Sequence, residues 1–298
     1  MGRPLNYIDS GFNKVDTNLY VSEDIQKHKD HAEISKWVTD YEKACPKQIT
    51  SYFTLGRKSN NAPWHPLYVN RYMPLSRLIT EIQDNTLNFI SPLLWQDPFE
   101  RVFYQEKLAI KDKQYDIRCI CSTYDYVENE EAAWNRNNNE DTVVRVSFDF
   151  DKFCKMLNNI GQRYSCAFYI SIADYSQSKD NLIIQNIKTP YKSIEDYIKI
   201  MSLKRKAFAY ENEMRIFAVF EISQSPVGKV VPFNISPFDY EDVIYQITLP
   251  PMLPTKQQNE TFDYDTLQEA KNSPIKTMLS TLLPNDIIKE SRLYSIKK

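Results

Sequence analysis

The chain has 298 residues, 42% of them hydrophobic and 26% charged, which is long enough for a sizeable core and ordinary for a soluble globular protein. A formal net charge of −2 supplies no global basic field to draw in nucleic acid or a membrane surface. The five glycines lie far apart, which excludes the Walker A loop, the G-x-G-x-x-G fingerprint and the G-x-S-x-G nucleophile elbow.

Residues 1–20 read as an arm, and Ser22-Glu23-Asp24 opens a helical stretch. There Ile25, Ile34, Trp37, Val38 and Tyr41 keep one face to about residue 45. Pro46 and the loop at 56–66 break that pattern, so residues 1–62 are expected to be an N-terminal helical extension and 63–298 the main domain. Leu67 to Met73 is an expected strand. Pro74 then starts a helix with Leu75, Leu78, Ile79 and Ile82 on one stripe and Asn85 as its C-terminal cap. Thr86 to Ile90 is a second strand, closed by Ser91-Pro92, and residues 95–100 form an aromatic-rich turn.

Strands are expected at Ile117–Thr123 and Val143–Phe150, then a helix capped by Asp151 with Phe153, Met156, Leu157 and Ile160 inward. Strands follow at 165–173 and 181–187, and Ser193 opens a helix to about Phe208 with Glu195 and Asp196 in its first turn. The chain continues with strands at 211–220, 229–233 and 243–249, a helix over 265–282 and a last strand at 287–296. Single helices between runs of strands, without regular βαβ alternation, predict an α+β fold with mixed, mainly antiparallel sheets and flanking helices.

Five cysteines without an apolar leader read as free thiols in a reducing compartment, and nowhere do 18 apolar residues run together, so a cytoplasmic protein is expected. Cys119-Ile120-Cys121 is tighter than the C-x-x-C pattern, and His28-x-x-His31 lacks a carboxylate or cysteine set to complete a site, so no metal centre is expected. Lys204-Arg205-Lys206 reads as a solvated helix face, or as a local platform for single-stranded nucleic acid together with some of the 20 tyrosines.

The most informative segment is Tyr210-Glu211-Asn212-Glu213-Met214-Arg215. On an extended strand alternate side chains share a face, which would align Glu211, Glu213 and Arg215. A structural reading makes them a strand-face ion pair, and makes Arg71 a partner of Glu100 or Asp97. Ser91 before Pro92 also has a structural reading, as the end of a strand. Asp97, Glu100, Glu211 and Glu213 together are the acids a metal-dependent nuclease would need.

In chain order, Tyr68-Val69-Asn70-Arg71-Tyr72, Leu87 to Pro92, Gln96-Asp97-Pro98-Phe99-Glu100, Trp134 and Tyr210 to Arg215 resemble a bacterial family known as domain of unknown function 2971. The resemblance spans about residues 66–296, with Gln96 where that family has Asn and Phe208 where it has Trp. The same order is similar, more distantly, to ADP-ribosyltransferases. That similarity implies an ADP-ribosyltransferase-like domain that splits NAD and transfers ADP-ribose to a protein or nucleic-acid acceptor, as bacterial toxins and antiphage effectors do, with a neutralising antitoxin as partner. It implies Glu213 as the carboxylate facing an oxocarbenium-like transition state, Glu211 as acceptor base, and Ser91 bracing the catalytic acid. Arg71 would hold the pyrophosphate, and Tyr72 or Tyr68 would stack on nicotinamide. A non-enzymatic sensor or partner-binding module is the competing reading.

Overall fold

The computed structural model describes residues 12–16, 19–22, 68–101, 103–105, 108–124, 134, 142–175, 191–251 and 264–291. Strands β1 (Phe12–Asp16) and β2 (Leu19–Ser22) form a hairpin; β3 (Tyr68–Pro74) runs into α1 (Leu75–Gln83), and β4 (Thr86–Ile90) into a 3-10 turn at Pro92–Leu94 and the short α2 (Pro98–Arg101). Then come β5 (Leu108–Ile110), β6 (Lys113–Tyr124), β7 (Val143–Asp149), α3 (Phe150–Tyr164), β8 (Ala167–Ile172) and α4 (Ile194–Met201). A 3-10 helix at Lys206–Glu211 precedes β9 (Glu213–Glu221), β10 (Val230–Asn234), α5 (Tyr240–Val243), β11 (Ile244–Leu249), α6 (Tyr264–Leu279) and β12 (Ile288–Glu290).

The described strands make one open sheet in the order β1-β2-β8-β9-β6-β3-β7-β11-β12, with β5 and β4 branching from β6 and β10 on β4. Only β2–β8 and β11–β12 are parallel, so the fold is α+β with a mixed, mostly antiparallel sheet. Its spine is β9, buried from Glu213 to Phe220. Met214, Ile216, Ala218 and Phe220 face the larger core, built with Phe89, Phe148, Phe168, Phe233 and the inward stripe of α3. Phe217 and Val219 face a smaller core around Trp95, Tyr169 and the α4 residues Tyr197, Ile198 and Met201. Period-2 alternation on a strand covered on both sides therefore feeds two separate cores.

The sheet forks beside β6. That strand meets β4 at Ile90↔Cys119 and β3 at Val69↔Tyr124 and Asn70↔Thr123. Among the described strands, the residues in between pair with β9 alone.

Several local expectations are corrected. Asp149, not Asp151, caps α3: its carboxylate accepts the Lys152 N–H at 3.0 Å, because the helix starts two residues earlier, at Phe150. Ser193 does cap α4, accepting the Asp196 N–H, but α4 stops at Met201. The β5–β6 hairpin turns through Lys111 (φ 55) and Asp112, a pair without the Gly or Asn that announces such turns. Within 1–62, β1 and β2 join the sheet beside β8, while the helix expected to about residue 45 and the strand at 181–187 lie outside the described residues. No described helix is long and apolar enough to cross a membrane.

Candidate functional site

Glu213 and Arg215 leave β9 on the smaller-core face, and Arg215 is completely buried there. Its Nε donates to Glu213, its Nη2 to Glu100 Oε2 at 2.6 Å, and its Nη1 to the Met201 carbonyl. The guanidinium lies 4.5 Å from the Trp95 ring centroid, which covers its flat side. Lys204 donates to both Glu211 and Glu213, and its Nζ is 3.6 Å from Glu100 Oε1. Three carboxylates thus close on two cations, and none of the five side chains is more than 7% exposed.

The electrostatics follow from this packing. Burial pushes the Glu213 carboxyl up, but Arg215 and Lys204 outweigh it and hold the group down at about 2. For Glu100 burial prevails over Arg215 and Lys204, and its pKa is raised. Burial opposes the charge on Lys204, yet Glu213 and Glu100 raise its pKa.

Glu211 reaches the cluster by another route than strand alternation. It ends the 3-10 helix, Asn212 is left-handed (φ 43), and β9 begins only at Glu213. Lys204 corrects the solvated-face reading of the basic run: it is 2% exposed because the chain has left α4 by Met201 and turns inward. Its neighbour Arg205 grips Asp97 through Nη2 and Nε at 2.7 and 3.1 Å.

Arg71 is elsewhere. Its strand neighbours Val69 and Met73 face the larger core, and Arg71 with them. There it meets Glu81 of α1 through Nη1 at 3.0 Å and Nη2 at 3.4 Å. Glu81 also accepts from Arg77 and Asn88 at 3.1 Å, and the Tyr240 hydroxyl lies 2.8 Å away. Burial raises the Glu81 carboxyl, but Arg71 and Arg77 bring its pKa below the ordinary value. The arginine therefore faces away from Glu213, with the sheet between them, and the expected pyrophosphate–carboxylate pair is not assembled. Neither Glu100 nor Asp97 is its partner.

Asn70, Thr123 and Glu213 pair in a row across β3, β6 and β9, so Asn70 stands on the Glu213 face, about 9–10 Å away. Alternation puts Tyr68 and Tyr72 on that face as well. Tyr68 stacks on Tyr245 with centroids 4.2 Å apart, and Tyr72 meets Trp134 edge-on at 5.0 Å. Ser91 is 2% exposed; its hydroxyl accepts the Leu93 N–H at 3.3 Å, so it caps the 3-10 turn after β4. Tyr175, which no sequence signal singled out, accepts the Glu213 backbone N–H at 3.0 Å.

The buried acids do not converge as metal ligands. Glu100, Glu211 and Glu213 surround the Lys204 ammonium, and Asp97 is held by Arg205. Among the described residues, no three His, Cys, Asp or Glu side chains are grouped to hold a metal ion. No protein-family model, curated protein or solved structure matches this chain.

Proposed function

We propose that the charged strand is a buried ionic lock and that the chain works as a non-enzymatic sensor or partner-binding module. The observation that carries this reading is the closure of the cluster: Glu100, Glu211 and Glu213 already close on Lys204 and Arg215, all five of them buried. A carboxylate committed to two cations in the ground state has little left for a developing positive charge in a transition state. The lock joins α2, the 204–211 segment and β9, none of which could bury its charges alone.

The test is incubation of the full chain with NAD while released nicotinamide is measured. No release is expected, and Glu213→Gln is expected to lower the unfolding midpoint. Release by the unmodified chain that vanishes in a folded Glu213→Gln variant overturns the reading.

A second reading is favoured by one observation: Glu213 shares its face with Asn70, Tyr72 and Tyr68 and stays ionised at neutral pH. In that reading the chain is an ADP-ribosyltransferase-like enzyme. NAD lies across that face, Glu213 moves from Lys204 to the ribose, and Arg71 takes no part. The product would be an ADP-ribosylated protein or nucleic acid, consistent with a toxin or antiphage effector kept in check by a partner protein. The same NAD assay separates the two.

A further inference from the structure

We infer that Cys119 and Cys121 form a two-sulfur site for a soft, thiophilic monovalent cation of the Cu(I) class. Both are free thiols on one face of β6, two positions apart. Cys119 is fully buried, whereas Cys121, inside the twelve-residue β6, is exposed. The fork accounts for that exposure: Cys121 lies between the β4 and β3 junctions, where among the described strands β6 pairs with β9 alone.

Magnitudes decide what such a pair can do. Residues i and i+2 of an extended strand are about 6.7 Å apart, whereas a disulfide requires Cβ atoms about 3.5–4.5 Å apart. Oxidation to an internal disulfide would break the pairing of Cys119 with Phe217 and of Cys121 with Arg215. A metal reaches further: two metal–sulfur bonds of about 2.3 Å span about 4.6 Å, so each Sγ need lean inward by only about 1 Å.

Coordination number and ligand softness select the ion. Zinc needs four ligands, and no third His, Cys, Asp or Glu joins the pair among the described residues, whereas soft thiolates suit Cu(I). On binding, both thiols release a proton and form one sulfur–metal bond each, leaving a unit of net charge −1. Arg215 stands directly across from Cys121 on β9, its charge already shared by Glu213 and Glu100.

The reduced full chain is titrated with Cu(I) without oxygen, against bicinchoninate as competing chelator. One equivalent is expected to be withheld from the chelator, with at least a tenfold loss of affinity in Cys121→Ser and in Cys119→Ala. Cys154→Ser and Cys166→Ser are expected to bind as the unmodified chain does. Because Cys121 is exposed, its variant tests the site without disturbing the core. Unchanged binding by Cys121→Ser, or loss in Cys45→Ser as well, overturns the proposal. So does an X-ray absorption spectrum showing more than two sulfur neighbours.

Discussion

Arg215 on β9 and Glu100 on α2 are 115 residues apart in the chain and 2.6 Å apart in space. With Glu213 on the Nε of the same guanidinium and Trp95 over its face, this contact pins α2 to the centre of the sheet. It makes a buried charge tolerable by giving each donor a fixed acceptor.

Removing that cation is therefore expected to cost a large share of the stability of the fold. Arg215→Ala leaves Glu213 and Glu100 facing each other in the core, a loss of about 3–5 kcal/mol out of a typical total of about 5–15. Urea unfolding measures it. Arg215→Lys is expected to recover only part, because one ammonium cannot reproduce the planar fork over Trp95. A wild-type midpoint for Arg215→Ala would show the network to be irrelevant to stability.

Acid should unlock the cluster. The folded Glu213 pKa, about 2, is below the ordinary 4.5, so its contribution is fully present above 4.5 and is lost as pH falls from there towards about 2. Glu100 runs the other way: its raised pKa makes stability fall as pH rises through and above 4.5. Unfolding midpoints measured across this range should show a steep acid limb, flattened in Glu213→Gln. An unchanged limb in that variant would contradict the assignment.

The second buried centre should behave as structure. Arg71→Ala strips Glu81 of its bidentate partner and is expected to destabilise by about 3–5 kcal/mol. Calorimetry reads the stability, and an NAD titration tests the ADP-ribosyltransferase-like reading. Since Arg71 faces away from Glu213, no change in NAD binding is expected beyond that of unfolding.

The hairpin between β5 and β6 offers a gain. Lys111 is exposed with φ 55, a conformation that costs an L-residue about 1–2 kcal/mol. Lys111→Gly removes that cost but frees the unfolded chain, so a net stabilisation of up to about 1 kcal/mol is expected by denaturant midpoint.

Much of the architecture was legible without coordinates because its signals are local. Leu75, Leu78, Ile79 and Ile82 mark α1 by spacing alone, and Asn85, left-handed in the fold, closes it as a capping residue should. Thr86–Ile90 matches its expected bounds, and the α3 stripe points inward as its period requires. Glu81 follows Leu78 by three positions on the buried side of α1, where a lone carboxylate needs a partner.

The partners themselves were not legible. Alternation tells which residues share a face, but not that the Arg71 face of β3 packs under α1 while the Asn70 face looks the other way. Nor does local pattern show that the chain leaves α4 at Met201 and delivers Lys204 between Glu211 and Glu213. Backbone periodicity is a property of neighbouring residues, so sequence alone determined the strongly patterned elements and their apolar sides, though not β1, β2, β5 or the end of α4. Charge pairing depends on the separation in space of residues up to 115 positions apart, and only the packed sheet could decide it.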